Sequence, residues 1–286
     1  MKKITANFFW NSNNLSIYEN LCLTSFVKNG FNVNLYSFCN IKLPKGVKLK
    51  NASIILDKKE IKRYKHAGKK NCLAAFADKF RIELQKKKLG WWFDLDVICL
   101  KNVKYFLKLE RKNKFIIGIE TKNKINTAVL KINDNSLVDQ ISEKIKNFGY
   151  NIKWGEIGPT LVTKILKSKK ILHKAQPKYK FYAINFENFK LFLLPEYKII
   201  AKNLTRLSFT THIYNQIFSR FGIPKNIMPP KGSFLYEVFL EYSPELKKLE
   251  SLPKSTAYRL LERTNGFKEN LFDLLPSFIR AFKRIV

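Results

Sequence analysis

The segment from Ile4 to Leu35 narrows the possible folds most. Ile4 to Trp10 is a short apolar run, and Ile17 to Lys28 carries its apolar residues at helical spacing. Ser16 and Glu19 have the spacing of a capping box, in which two side chains each take up a free backbone N–H, and Gly30 stands where a helix takes its C-terminal cap. Phe31, Val33 and Leu35 then alternate as in a strand. A helical crossover of this length returns the chain to the same end of a sheet, so the two strands should run parallel. The expected class is α/β, and a unit of this kind is the usual start of a parallel sheet.

The pattern continues downstream. After a turn at Pro44-Lys45-Gly46 and a short strand at Ser53 to Leu56, a helix is expected from Asn71 to about Lys88, with Leu73, Phe76, Ala77, Phe80 and Leu84 as its buried stripe. Gly90 ends it, and Trp91 to Leu100 reads as one apolar strand interrupted only by Asp94 and Asp96. Phe115 to Ile119 and Ile125 to Ile132 look like core strands and Leu137 to Phe148 like a helix. Trp154 to Thr160 reads as a loop feeding a further helix with Pro159 early in it, and Tyr179 to Ile184 and Leu207 to Ile213 resemble strands. Residues 1–221 would form the α/β domain, and 222–286, punctuated by prolines, a helical extension.

Charge sets a second constraint. Lys and Arg number 54 against 22 Asp and Glu, a net charge of +32 in 286 residues, which favours polyanions in general. The lysines are spread along the chain instead of forming one stripe, so no specific nucleic acid is expected, although a basic polyanion-binding protein without catalysis is a competing expectation. Leu271 to Val286 is both basic and apolar, and fits either docking on the core or lying on an anionic membrane face. The start lacks the apolar region of a signal peptide, and no apolar run approaches the ~18 residues of a membrane span. The expected location is cytoplasmic, with peripheral association at the inner face of the cell membrane as the variant that the basic tail suggests. Cys22, Cys39, Cys72 and Cys99 lie far apart, and there are three histidines, so a metal would have to rely on carboxylates, which favours manganese or magnesium over zinc.

Asp94 and Asp96 supply such carboxylates. Two acids in an apolar strand are unfavourable unless the strand emerges at a site that uses them. Spaced at i and i+2 they can reach one ion, and a divalent metal held there can bridge the two phosphates of a nucleotide diphosphate sugar and neutralise charge on a departing diphosphate. Two other readings stay open from the pair alone: turn residues capping a neighbouring helix, and a phosphatase of the haloacid dehalogenase type, which also places Asp-x-Asp after an apolar strand.

The surrounding residues are more specific. Ala77-Asp78-Lys79-Phe80-Arg81, followed by Leu89-Gly90-Trp91-Trp92-Phe93-Asp94-Leu95-Asp96, resembles the glycosyltransferase sugar-binding region with the DXD motif. That region is shared by yeast-type mannosyltransferases, the globotriaosylceramide synthase family and bacterial capsule or lipopolysaccharide transferases, and more remotely by clostridial glucosylating toxins. Trp91 stands where the family has the second glycine of a Gly-Gly turn. Phe8-Phe9-Trp10 with Leu15-Ser16 and Ser25-Phe26, Ile125 to Leu130, Gly158-Pro159-Thr160 and Ser208 to His212 extend the resemblance, in order, over about residues 4 to 215.

The resemblance implies an α/β GT-A-type nucleotide-binding fold with a mixed, mainly parallel sheet, and an enzyme that moves a sugar, with retention of configuration, from a nucleotide-sugar donor, most simply a UDP-sugar, to a glycan or glycolipid acceptor in surface polysaccharide or lipopolysaccharide synthesis. Asp96 would bind a divalent metal, manganese or magnesium, with Asp94 shared between metal, ribose and sugar. Arg81 would donate to the diphosphate, Asp78 accept from sugar or ribose hydroxyls, Trp10 stack on the base, Asn126 hydrogen-bond the sugar and His212 complete the metal shell. Plainer roles compete: an intrahelical ion pair for Asp78 and Arg81, a core position for Trp10, a structural role for His212.

Overall fold

The computed structural model describes residues 4–66, 69–70, 72–149 and 151–262. β1 (Thr5–Phe9), α1 (Ile17–Lys28) and β2 (Asn32–Ser37) form the expected unit. The capping box closes, with Ser16 N donating to Glu19 Oε2 at 2.8 Å. β2 runs parallel to β1, and β3 (Val47–Asn51) runs parallel to β2. The strand expected at Ser53 to Leu56 does not form. Val47 to Asn51 takes the place beside β2, and the Asn51 side chain accepts from Ser53 N at 2.9 Å, turning the chain into a 3-10 turn at Ala52–Ile54.

A short hairpin of β4 (Lys65–His66) and β5 (Lys69–Lys70) leads to α2 (Leu73–Lys86). Phe76, Phe80 and Leu84 are buried as expected, whereas Leu73, at the first turn, is 43% exposed. Gly90 turns the chain with φ of +123°, and a Cβ there would meet Thr5 O at 2.6 Å, so only glycine lets this turn lie against β1.

The apolar stretch Trp91 to Leu100 is not one strand. β6 (Trp91–Phe93) pairs parallel with β1, and its last ladder bond runs from Asp94 N to Ala128 O at 2.8 Å. Val97 N then bonds back to Asp94 O at 3.1 Å, and the chain leaves the sheet to form β7 (Val97–Cys99). α3 (Val103–Lys112), β8 (Phe115–Thr121), β9 (Lys124–Ile132), α4 (Asn135–Lys146) and α5 (Leu161–Ser168) follow. The six-stranded sheet has the order β3-β2-β1-β6-β9-β8, parallel from β3 to β6, with β9 antiparallel to both of its neighbours.

Tyr179 to Ile184, expected as a strand, forms a 3-10 turn at Lys178–Lys180 and an irregular run. Phe181, Tyr182 and Ile184 are fully buried, so the apolar run reflects burial without a ladder. α6 (Lys190–Leu193) and α7 (Lys198–Thr205) come next, and the strand expected over Leu207 to Ile213 contracts to β10 (Thr210–His212), which pairs antiparallel with β7. α8 (Asn215–Phe221), α9 (Phe234–Tyr242) and α10 (Lys254–Glu262) complete the described chain.

Alternation along the strands divides the interior into two cores. Phe8, Trp91 and Phe93 face α1 and α3, where Phe26 and Phe106 meet them, and Phe31, between α1 and β2, packs on both Phe93 and Phe106. Trp92 points the other way, onto Phe80 of α2. α9 packs on α1 through Phe239 and Tyr18, whose ring centroids are 4.9 Å apart. Leu271 to Val286 lie outside the described residues. Among the described residues no helix is long and apolar enough to cross a membrane.

Candidate active site

Parallel strands β1 and β6 end side by side, and the open face beyond their carboxyl ends is where an α/β sheet places a ligand crevice. A cleft of about 800 Å³ opens there, lined by all seven residues singled out from the sequence: Trp10, Asp78, Arg81, Asp94, Asp96, Asn126 and His212. Its position follows from the split strand. The break between β6 and β7 turns Asp94 and Asp96 outward, and the β7–β10 ladder places His212 opposite Val97.

Asp96 is gripped by the segment after β10. His212 Nε2 lies 3.0 Å from Asp96 Oδ1, Asn215 N donates to Asp96 Oδ2 at 2.9 Å, and Ile213 N donates to the Asp96 carbonyl at 2.8 Å. Tyr214, with φ of +52°, makes the turn that aims the Asn215 N–H, and its ring lies 4.2 Å from that of His212. A tyrosine in the left-handed region is uncommon, and such strain is held where the surroundings over-determine it.

Asp94 belongs to a second group. Its Oδ1 accepts from Trp92 Nε1 at 2.7 Å and lies 3.2 Å from Arg81 Nη2. Arg81 is 6% exposed and bonds Thr127 Oγ1 at 2.8 Å and the Ala77 carbonyl at 3.2 Å, with Asp78 Oδ1 at 3.4 Å and the Trp92 ring 5.3 Å below its guanidinium. The Asp78–Arg81 ion pair therefore exists, as the buried part of an Asp78–Arg81–Asp94 chain whose Asp94 side chain is 28% exposed toward the cleft.

Burial pushes Asp78 up to about 6, against the pull of Arg81. Burial also raises Asp94, with Arg81 opposing and Asp96 adding to the rise. For Asp96, burial acts upward, but the charge and hydrogen bond of His212 and the N–H of Asn215 outweigh it and hold the carboxyl below its ordinary range. Burial alone would lower His212, but the Asp96 carboxylate overrides that and raises it.

Asp94, Asp96 and His212 offer ligand atoms that all lie within 4.8 Å of one another. Two carboxylates and one imidazole form an oxygen-rich set that suits manganese or magnesium. His212 Nδ1 is buried with no hydrogen-bond partner, the kind of orphaned atom that a ligand would satisfy. The donor set fits a divalent cation.

The remaining candidates sit around this centre. Trp10 follows β1, its indole fixed by a 3.0 Å bond from Nε1 to Asn14 O, with Lys225 Nζ 5.8 Å from the ring. Asn126 reaches the cleft with its amide already engaged, donating to Glu120 Oε1 at 2.8 Å and accepting from Ala128 N at 2.7 Å. Sequence reasoning missed Tyr214, Asn215 and Arg220, which also line the cleft. Asn215 acts on Asp96 through a backbone N–H, for which side-chain chemistry leaves no signature.

The expected loop over Trp154 to Thr160 closes into a π-helical turn at Glu156–Thr160, kinked at Gly158, that leads into α5, and its glycine has a physical reason. Gly158 lies against the Asp78 carboxylate, and a Cβ at that position would overlap it. Gly158→Ala is expected to push the loop off α2 and lower stability by about 1–3 kcal/mol in urea unfolding. An unchanged unfolding midpoint would show that the loop yields freely.

No family model matches the chain, and no curated protein matches it. Among solved structures it is similar to the PaToxG glycosyltransferase at 12% identity, covering 60% of this chain and 72% of that one with a TM-score of 0.37. It is also similar to mouse xyloside xylosyltransferase 1 in its apo form (11% identity, 75% and 99% covered, TM-score 0.41). A third is the galactosyltransferase LgtC in complex with donor and acceptor sugar analogues (10% identity, 88% and 98% covered, TM-score 0.41). The chemistry proposed below follows from the residues around Asp94 and Asp96 themselves.

Proposed function

We propose that this chain is a metal-dependent glycosyltransferase of GT-A type that transfers a sugar from a nucleotide diphosphate sugar to a glycan or glycolipid acceptor. The observation that carries this is the convergence, beyond the ends of β1 and β6, of three side chains able to hold a cation, a buried arginine and an aromatic ring in one cleft. Together they offer a nucleotide diphosphate sugar a base surface, a diphosphate clamp and a neutralising cation.

Asp94, Asp96 and His212 would hold the divalent metal, which when bound supplies Lewis-acid stabilisation of the diphosphate. Trp10, with its indole fixed in place, offers a face to the base. Arg81, locked by Thr127, Ala77 and two carboxylates, presents a pre-set guanidinium to the diphosphate, so little reorganisation is needed as charge develops. Asp78 would accept from sugar or ribose hydroxyls at the same wall of the cleft. In the transfer, the acceptor hydroxyl oxygen bonds the anomeric carbon as the bond from that carbon to the phosphate oxygen breaks. The hydroxyl proton passes to that leaving oxygen, and attack from the same face retains configuration.

The donor is expected to be a UDP-sugar. The net charge of +32 fits an anionic acceptor or membrane face, as in surface polysaccharide or lipopolysaccharide synthesis. Residues 1–221 would be the catalytic domain and 222–286 its helical extension.

A panel of nucleotide sugars, assayed for donor hydrolysis and thermal shift with and without manganese, tests the proposal. At least one donor should hydrolyse only with the metal and raise the unfolding temperature. Folded protein that responds to no donor, and instead binds oligonucleotides in a salt-dependent way that survives loss of both aspartates, would replace it with polyanion binding.

A further inference from the structure

Glu19 is a carboxylate on α1, 1% exposed, outside the group of residues that the transfer uses. Each of its oxygens is committed. Oε2 accepts from Ser16 N at 2.8 Å, and Oε1 accepts from Asn215 Nδ2 at 2.7 Å and is paired with Lys225. Asn215 in turn gives its backbone N–H to Asp96 Oδ2 at 2.9 Å. Because a carboxylate only accepts, Glu19 fixes which end of the Asn215 amide faces it. The other end, Asn215 Oδ1, is left buried without a partner. A buried orphan carbonyl is unfavourable, so the orientation is imposed by the bond to Glu19.

We propose, building on the metal-site reading above, that Glu19 is a positioning residue for the cation site, acting on Asp96 through Asn215. The turn it anchors needs an anchor, since Tyr214 holds a left-handed conformation that relaxes if the next residue is released. Burial acts to raise the Glu19 carboxyl, but Lys225, with hydrogen bonds from Ser16 and Asn215, outweighs it and holds the carboxyl below its ordinary range, so the anchor is a charged acceptor and a strong one. Partners behind a metal ligand typically change metal affinity by about 10–100-fold when removed.

The test uses manganese alone, titrated into the full chain and followed by electron paramagnetic resonance, with unfolding temperatures measured in parallel. Glu19→Ala and Asn215→Ala should each weaken manganese binding about tenfold. The double variant should be no weaker than either single one, because both cut the same connection. Ser16→Ala removes the capping hydroxyl but keeps the Ser16 N–H on Oε2 and the Asn215 amide on Oε1, so it should lower the unfolding temperature and change manganese affinity far less than Glu19→Ala does. Unaltered affinity in folded Glu19→Ala, additive effects in the double variant, or an equal loss in Ser16→Ala would overturn the proposal and make Glu19 a stability residue only. Wild-type protein that binds no manganese would instead remove the metal site itself, and the proposal with it.

Discussion

Asp96→Asn should lower manganese-dependent donor hydrolysis on the order of 10³-fold while leaving the protein folded. The substitution preserves volume, and the amide oxygen can still accept from Asn215 N, so the turn after β10 keeps one of its bonds to this side chain. The anionic charge is lost. A cation acting as a Lewis acid on a diphosphate contributes several kcal/mol, and about 1.4 kcal/mol is a factor of ten in rate. The same variant carries a check that needs no substrate. In wild-type protein the Asp96 carboxylate overrides burial and raises His212, so without that charge burial should prevail and His212 should titrate lower. Nuclear magnetic resonance titration of the three histidines reads this directly. Wild-type hydrolysis in Asp96→Asn at saturating donor would end the metal-centred mechanism.

The parts of this architecture legible in the sequence are those written in periodicity and cap chemistry. The sequence bounds Ile17 to Lys28 to the residue, because Ser16, Glu19 and Gly30 mark both ends of the helix. The break in Trp91 to Leu100 was not legible, since the run is apolar on both sides of it. Trp91 to Phe93 lie in the six-stranded sheet and Val97 to Cys99 in a two-stranded one, and hydrophobicity does not say which partner a strand takes. Tyr179 to Ile184 misled for the same reason, being buried without a ladder. Spacing puts Leu73 in the stripe of α2, but the helix reaches the cleft at its first turn and the residue is left exposed there.

The candidate site divides along the same line. The seven residues taken from the sequence all line one cleft, because each carries side-chain chemistry in a recognisable local setting. Asn215, Tyr214 and Glu19 escaped it. One contributes a backbone N–H, one a left-handed φ, and the third reads in the sequence as half of a capping box alone. Glu19 and Asn215 stand 196 residues apart, and only the folded chain brings them to 2.7 Å.

Arg81→Met should be the most destabilising single change at the site, by about 3–5 kcal/mol at neutral pH, because it strands buried charge. Arg81 has its guanidinium within 3.4 Å of Asp78 and 3.2 Å of Asp94, and Asp78 is 6% exposed. The loss should depend on pH in a defined direction. Asp78 already binds its proton more tightly in the folded state than in the unfolded one, at about 6 against the ordinary 3.8. A carboxyl raised in this way favours folding when neutral, and that contribution fades as pH rises through the window between the two values. Without Arg81 the upper edge of the window moves higher still, since the arginine is what pulls the value down. The deficit of the variant should therefore be largest at pH 8 and should shrink at pH 5, where the stranded carboxyls take up protons. Urea unfolding at both values measures it. A deficit equal at the two pH values would mean that Arg81 acts through packing on Trp92, and that the Asp78–Arg81–Asp94 chain contributes little as an electrostatic unit. Arg81→Lys separates charge from geometry. It keeps the cation but loses the fork that reaches Thr127 and both carboxylates, so it should recover part of the stability at pH 8 and little of the donor hydrolysis.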